Sequence, residues 1–367
     1  MQTKIRLGVL FGGQSAEHEV SIKSAKSVIE NLDPEKYDIF PIGIDKKGSW
    51  HFLKAEPFLL ALKNNFLPTF RKNDPHFPLL LQKVPAKEIF FSPCTLKASL
   101  DVIFPVLHGP FGEDGTVQGL VELANLPYIG PDHLSSAICM DKGIMKEILK
   151  GQGLPTPHYL VLHCSDPIDE QGIIEAFTLP LFVKPAQMGS SVGITKVHTQ
   201  EELLPAIKEA FKYDERLLIE EFIEGREIEC SILGNEDPKA SLPGEIIPTH
   251  EFYSYEAKYL DEKGAHFVIP ANLDAQKIKE VKYLAIKAFK ALRCEGMARV
   301  DFFLKKDGSL LLNELNTIPG FTSISLYPKL WEASGISYPR LIDRLIELSI
   351  ERYKRKKSFR KYINPLY

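Results

Sequence analysis

The chain has 367 residues, 44% hydrophobic and 25% charged, with a formal net charge of −3; this length holds two or three domains with ample core, and the charge balance argues against a nucleic-acid partner. No apolar run approaches the roughly 20 residues of a membrane helix, and the short run Leu7 to Phe11 stops at Gly12-Gly13, so neither a membrane span nor a signal peptide is expected. The five cysteines are scattered without a Cys-x-x-Cys pair, which argues against a zinc site or a disulfide framework and for a reducing, cytoplasmic setting.

Ile5 to Phe11 reads as a buried strand broken by Gly12-Gly13. Ala25, Val28, Ile29 and Leu32 then recur at helical spacing, predicting a helix from about Ala16 to Leu32, and Asp38 to Ile44 is the next strand. Strand, glycine turn, helix, strand opens a doubly wound α/β unit, whose ligands lie beyond the carboxyl ends of its strands. The segment Gly12 to Ser21 therefore sits where a ligand would sit, although it is not G-x-G-x-x-G; Glu17 and Glu19 alone also suit the positive end of the helix dipole. Residues 55 to 100 carry six prolines and read as an irregular insertion. Leu100 to Leu107 is a strand that delivers His108-Gly109-Pro110-Phe111-Gly112-Glu113-Asp114-Gly115 at its end, a site-type loop, and Val117 to Leu123 looks helical.

Ser135 to Lys150 is expected to form a helix whose apolar pattern is interrupted at Asp141-Lys142. Leu179 to Pro185 is a strand with Lys184 at its end, followed by Gly189-Ser190-Ser191-Val192-Gly193 and a strand from Ile194 to Val197. Such a small-residue loop offers N–H groups and hydroxyls to an anion such as phosphate; it is not a Walker loop, and a plain hairpin turn fits it equally. Glu201 to Tyr213 is helical. Leu217 to Ile223 is a strand leaving its domain, either a plain edge strand or an adenine slot. Phe252 to Tyr259 has neither helical nor strand period and reads as a lid-like loop. An amphipathic helix follows Asp274, and another runs from about Tyr338 to Tyr353. The basic stretch from Arg352 to Lys361 reads as a solvated helix end.

Between those last helices lies Arg299 to Asn316. Two apolar runs flank Asp307-Gly308, the dipeptide favoured in two-residue hairpin turns with both central residues at positive φ. Counting outward, Lys306 faces Ser309, Lys305 faces Leu310, and Asp301 comes opposite Glu314. Strand alternation then puts Arg299, Asp301, Glu314 and Asn316 on one face. Facing carboxylates repel, so the patch asks for a cation. A salt bridge from Arg299 on a solvated face would meet that need; so would Mg²⁺, which takes hard oxygen ligands alongside phosphate oxygens.

The order of these pieces resembles the D-alanine–D-alanine ligase family. Gly12 to Ser21 and His108-Gly109 with Gly112 to Gly115 resemble its two N-terminal motifs. Val183-Lys184-Pro185 with Gly189 to Gly193 resembles the central motif. Tyr255 to Tyr259, Arg299-Val300-Asp301 and Asn313 to Gly320 resemble the C-terminal ones. The likeness spans about residues 4 to 350 and implies a mixed α/β (α+β) fold of three domains, an ATP-grasp fold with an N-terminal doubly wound, Rossmann-like pre-ATP-grasp domain. The expected divisions are 1–132, 133–225 and 226–367. It implies that two D-alanines and ATP give D-alanyl-D-alanine, ADP and phosphate through a D-alanyl phosphate, for peptidoglycan precursors.

The same resemblance implies the roles. Asp301, Glu314 and Asn316 would hold two Mg²⁺ ions, which Mn²⁺ could replace. Arg299 would stabilise the transferring phosphoryl group and, with the Gly320 N–H, the oxyanion. Lys142, Lys184, Ser190 and Ser191 would bind ATP phosphates, and Lys258 the γ-phosphate or a substrate carboxylate. Glu220, Ile223 and Glu227 would hold adenine and ribose. Glu17 would bind the ammonium of the first D-alanine and join Ser190 and Tyr259 in a hydrogen-bonded trio. Ser325 would receive the second carboxylate, with His108 nearby. A homodimer formed through the N-terminal domain is also implied. Met188 and Glu221 depart from the family pattern. Three rivals stay open: a D-alanine–D-lactate-type or other ATP-grasp ligase, a non-catalytic nucleotide-binding protein, and a phosphotransfer kinase. Tyr259 favours the dipeptide over the depsipeptide product.

Overall fold

The computed structural model of the chain describes residues 3–54, 56, 58–60, 100–248 and 265–359. The lid-like loop with Lys258 and Tyr259 and most of the proline-rich insertion lie outside them. The first sheet has the order β3-β2-β1-β4, built from β1 (Ile5–Gly12), β2 (Tyr37–Ile44), β3 (Trp50–Phe52) and β4 (Val102–Pro105). β1 pairs in parallel with β2 and β4, and β3 runs antiparallel on β2. Parallel strands need a crossover connection, and α1 (His18–Glu30) supplies it between β1 and β2. A sheet covered on both faces demands an unbroken apolar run, hence Leu7, Val9, Leu10 and Phe11 are all buried. Leu7, Val9 and Phe11 pack against Ile22, Ala25 and Val28 of α1. Leu10 on the other face packs with Val117 and Val121 of α2 (Thr116–Leu123).

The expected helix Ser135 to Lys150 is two helices, α3 (His133–Met140) and α4 (Lys142–Gly151). Asp141 between them is extended, and its Oδ1 accepts from Ile144 N at 3.0 Å. A capping carboxylate at the interruption breaks the helix rather than bending it. The second sheet, β5-β8-β6-β7, is antiparallel: β5 (Tyr159–His163), β6 (Leu181–Pro185), β7 (Thr195–Val197) and β8 (Arg216–Glu221). α5 (Glu170–Ala176) and α6 (Gln200–Ala210) cover it, with Leu203 and Ile207 against Leu181, Val183 and Ile219.

The third sheet runs β12-β11-β9-β13-β14, with β10 (Lys239–Ala240) on β9 (Gly225–Gly234). Its other strands are β11 (Gly244–Pro248), β12 (Ala265–Val268), β13 (Gly296–Lys305) and β14 (Leu310–Asn316). α7 (Ala275–Ala291), capped by Asp274, and α4 bury its apolar face: Val281, Ala285, Met145 and Leu149 meet Ile228, Val300 and Phe302. α8 (Leu326–Ala333) and α9 (Tyr338–Ser358) complete the chain. Leu341, Ile342 and Leu345 of α9 join the core of the first sheet, so the C-terminal helix closes the N-terminal fold.

The basic end of α9 is not the solvated terminus expected of it. Arg352 is 3% exposed, and its guanidinium donates to Gly130 O and to Tyr128 O, the latter at 2.8 Å, while lying 4.6 Å from the Tyr128 ring centroid. Lys356 pairs with Asp132 at 2.9 Å, and Arg355 with Glu295.

Candidate active site

The hairpin of β13 and β14 carries the site, by a route different from the simple count. Lys305 N donates to Ser309 O at 2.9 Å, enclosing three residues, and only Gly308 of the turn pair has positive φ (84°). A three-residue turn closing on a left-handed glycine replaces the two-residue turn. It shifts the pairing by one, so Leu304 faces Leu310 and Phe302 faces Leu312. A β-bulge then sets Asn313 and Glu314 together opposite Asp301 and shifts the pairing back. The two irregularities cancel: Asp301 faces Glu314, and Arg299 faces Asn316. The apolar alternation contains this slip, since Leu310, Leu312 and Leu315 are the buried positions.

Arg299 Nε and Nη2 fork onto Asp301 at 2.8 and 2.6 Å, and Nε also lies 2.9 Å from Glu229 Oε2. Asn316 Nδ2 donates to Asp301 Oδ2 at 2.9 Å. Burial alone would lower the Arg299 pKa, but Asp301, Glu229 and Glu314 outweigh it and hold the guanidinium charged, well above its ordinary pKa. Three carboxylates against one guanidinium leave this face negative. Among the described residues no group of His, Cys, Asp or Glu side chains forms a complete cage for a metal. Two carboxylates and an amide are instead a partial set, of the kind Mg²⁺ uses when phosphate oxygens and water supply the rest. The donor chemistry fits.

Glu229 was absent from the sequence reading. It pairs in register with Asp301 from β9, and the alternation of Ile228, Cys230 and Ile232 against Glu227, Glu229 and Ser231 is the signal that would have found it.

The same cleft holds lysines. Lys142 opens α4 and its Nζ donates to Met188 O at 2.7 Å. Lys184 ends β6 and its Nζ donates to Glu220. Ser190 and Ser191 both hold left-handed backbone (φ 51° and 61°), a sparsely populated state for non-glycine residues that clusters at functional loops. Ser190 Oγ donates to Glu17 Oε1, so the loop reaches across to the N-terminal sheet. This is two-thirds of the expected trio; Tyr259 lies outside the described residues. Glu220 is 1% exposed and shared by Lys184 and Lys146. Burial opposes its ionisation, yet the two lysines hold its pKa down to about 2.

On the N-terminal side His108 is buried, its Nδ1 3.1 Å from Ile318 O and its Nε2 3.2 Å from Ser24 Oγ. Burial pushes its pKa down, outweighing the opposing pull of Glu17. Glu113, another residue without a predicted role, accepts from Gly109 N at 2.7 Å. Burial, then the charge of Glu17, pushes its pKa up to about 8. Ser325 precedes α8 at its N-cap position without a side-chain bond to the helix; its Oγ accepts from Thr322 N at 2.9 Å. A Cβ on Gly320 would stand 2.7 Å from Ser325 Oγ, so a side chain there would displace the Ser325 hydroxyl.

One cleft of about 1420 Å³ collects these groups. Every predicted site residue among the described ones lines it: Glu17, His108, Lys142, Lys184, Ser190, Ser191, Glu220, Ile223, Glu227, Arg299, Asp301, Glu314, Asn316, Gly320 and Ser325. Lys258 and Tyr259 are not among the described residues. The chain passes from the second sheet to the third between Glu221 and Gly225, where Ile223 lines the cleft.

Two antiparallel sheets that share one cleft, the second bringing Lys184 and Glu220 and the third Arg299, Asp301, Glu314 and Asn316, together with a mostly parallel N-terminal sheet, define an ATP-grasp ligase. A family model described as "D-ala D-ala ligase N-terminus" matches residues 6–131, and one described as "D-ala D-ala ligase C-terminus" matches 148–347. A D-alanine--D-alanine ligase of Shouchella clausii (strain KSM-K16) is 49% identical over 359 residues, 97% of this chain and 98% of that protein. One of Thermoanaerobacter sp. (strain X514) is 51% identical over 360 residues, 96% of this chain and 98% of that protein. The solved D-alanine-D-alanine ligase from Coxiella burnetii matches with a TM-score of 0.82 at 42% identity, over 97% of this chain and 96% of that one. VanG D-Ala:D-Ser ligase from Enterococcus faecalis matches at 0.78 and 36%, over 95% and 100%. The chain belongs to the D-alanine–D-alanine ligase family, a family of ATP-dependent ligases.

Proposed function

We propose that this cleft joins two D-alanines at the expense of ATP, in the cytoplasm, to supply D-alanyl-D-alanine for peptidoglycan. The observation that carries the reading is the convergence of the Arg299, Asp301, Glu314 and Asn316 face with Lys142, Lys184 and the left-handed Ser190-Ser191 loop in one cleft. The lysines would meet the triphosphate directly, and the carboxylate face calls for metal between itself and the phosphates. Asp301, Glu314 and Asn316 would hold Mg²⁺ or Mn²⁺, which when bound neutralises phosphate charge and polarises the transferring group.

In the reaction a carboxylate oxygen of the first D-alanine attacks the γ-phosphorus and ADP leaves, giving D-alanyl phosphate. The deprotonated amine of the second attacks its carbonyl carbon, and phosphate leaves as the amide forms. Glu17, held by Ser190, receives the first ammonium. Arg299, kept charged by its carboxylates, stabilises the phosphoryl group, and the Gly320 N–H the oxyanion. Ser325, at the start of α8, receives the second carboxylate. Lys258 and Tyr259 would complete the set as phosphate ligand and third member of the Glu17 trio. Ile223 and Glu227 hold adenine and ribose; Glu220, expected to join them, lines the same cleft with both carboxylate oxygens taken by lysines. Dimerisation through the N-terminal domain rests on the family resemblance, and sedimentation velocity tests it.

Acceptor choice is tested by product analysis with D-alanine alone and with added D-lactate or D-serine. D-alanyl-D-alanine should dominate at neutral pH; a dominant depsipeptide or mixed dipeptide would reassign the second subsite.

A further inference from the structure

Behind Glu220 lies a lysine that the reaction does not use. Lys146 sits one turn after Lys142 on α4, so both project from the same helix face. Lys142 reaches the small-residue loop; Lys146 runs inward and ends 2.8 Å from Glu220 Oε2, with both side chains 1% exposed. Lys184 holds the other oxygen, Oε1. Lys184 and Glu220 line the cleft, whereas Lys146 is not among its lining residues. A lysine this deeply buried is rare unless paired; burial lowers the Lys146 pKa against the pull of Glu220, and here two lysines share one carboxylate.

The asymmetry has a consequence for ATP. In the structure Lys184 is bound to Glu220, yet the proposed reaction needs it on a phosphate. A carboxylate buried with a single counter-ion holds that ion firmly, because releasing it strands a charge away from water. A second, permanently sealed counter-ion removes that constraint. We infer that Lys146 is a positioning residue for nucleotide binding: it keeps the Glu220 carboxylate paired and fixed, so that Lys184 is free to leave it for the phosphates. The inference rests on the proposed nucleotide site. It follows that the effect of Lys146 depends on the charge of Glu220 and is confined to the nucleotide.

Binding of the non-hydrolysable analogue AMP-PNP with Mg²⁺, measured by calorimetry, tests this without turnover. K146M should raise the Kd by about tenfold, the scale of one lost charge interaction, and K146R should bind within about threefold of wild type. The KM for D-alanine should not move. In the E220Q background, K146M should change the Kd by less than about threefold, because no trapped carboxylate remains. That pair also covers the case in which K146M alone fails to fold, since the one charge it leaves in the cluster is Lys184, which lines the cleft. A tenfold loss from K146M in the E220Q background, or wild-type affinity in K146M alone, would overturn the inference. Wild-type protein that binds AMP-PNP but releases no phosphate with D-alanine would sink the proposed reaction and leave the Lys146 test standing.

Discussion

Glu113 gives the sharpest quantitative prediction. Its carboxyl is buried beside the negative charge of Glu17, and its pKa rises from 4.5 to about 8. The folded chain therefore keeps a proton that the unfolded chain surrenders above pH 4.5. Stability present below pH 4.5 is lost as pH rises toward 8, by about 1.4 kcal/mol per pH unit across that window. Glu113→Gln keeps the oxygen that accepts from Gly109 N and cannot ionise. The variant should match wild type near pH 4.5 and exceed it by roughly 3 kcal/mol at pH 7, with the gap levelling off above pH 8. Urea unfolding at pH 5, 6, 7 and 8 reads this directly. Glu17→Gln should shrink the pH-dependent loss in an otherwise unchanged chain by removing the charge that helps keep Glu113 neutral. Parallel stability curves for wild type and Glu113→Gln from pH 5 to 8 would refute the buried, protonated Glu113. The functional point is charge economy: a neutral Glu113 leaves Glu17 to meet the substrate ammonium without a second negative charge beside it.

Two more expectations follow from the geometry. Arg352→Ala removes two charge-assisted bonds to the carbonyls of Tyr128 and Gly130 and should cost about 3 kcal/mol of stability, read as a lower urea midpoint; an unchanged midpoint would show that the end of α9 does not hold the N-terminal fold. EDTA should abolish turnover and Mn²⁺ restore it, while Asp301→Asn should raise the Mg²⁺ concentration needed for half-maximal rate by about tenfold; turnover that persists in EDTA would remove the metal from Asp301, Glu314 and Asn316.

Much of this site was legible because its residues sit at strand ends and turns, where spacing alone constrains position. Leu7 to Phe11 could only be a buried strand with Glu17 beyond its carboxyl end, and His108 follows the strand from Leu100 to Leu107 in the same way. The Asp301–Glu314 pairing was reached through a count that was wrong in two places. The three-residue turn and the bulge at Asn313 offset each other, and only the phase slip among Leu310, Leu312 and Leu315 betrays them. Glu229 and Lys146 stayed hidden for a different reason. The alternation of its own strand puts Glu229 on the site face, but its contact with Arg299 across the strand pair, like that of Lys146 through the core with Glu220, joins residues distant in sequence that no local period links. Asp141 was seen to interrupt its helix, but its power to break it comes from capping Ile144. The basic end of α9 looked like a solvated tail because its partners, the carbonyls of Tyr128 and Gly130, carry no side-chain signature.

The central claim is that Arg299 and its carboxylate face perform ATP-dependent ligation of D-alanine, and phosphate release measured with and without D-alanine tests it most directly. Wild-type protein should release phosphate only when D-alanine is present, in step with dipeptide formation, and Arg299→Ala should lose at least about a hundredfold of that rate, the scale of losing one transition-state charge contact. Phosphate release that ignores D-alanine, or an Arg299→Ala rate equal to wild type, would contradict the account.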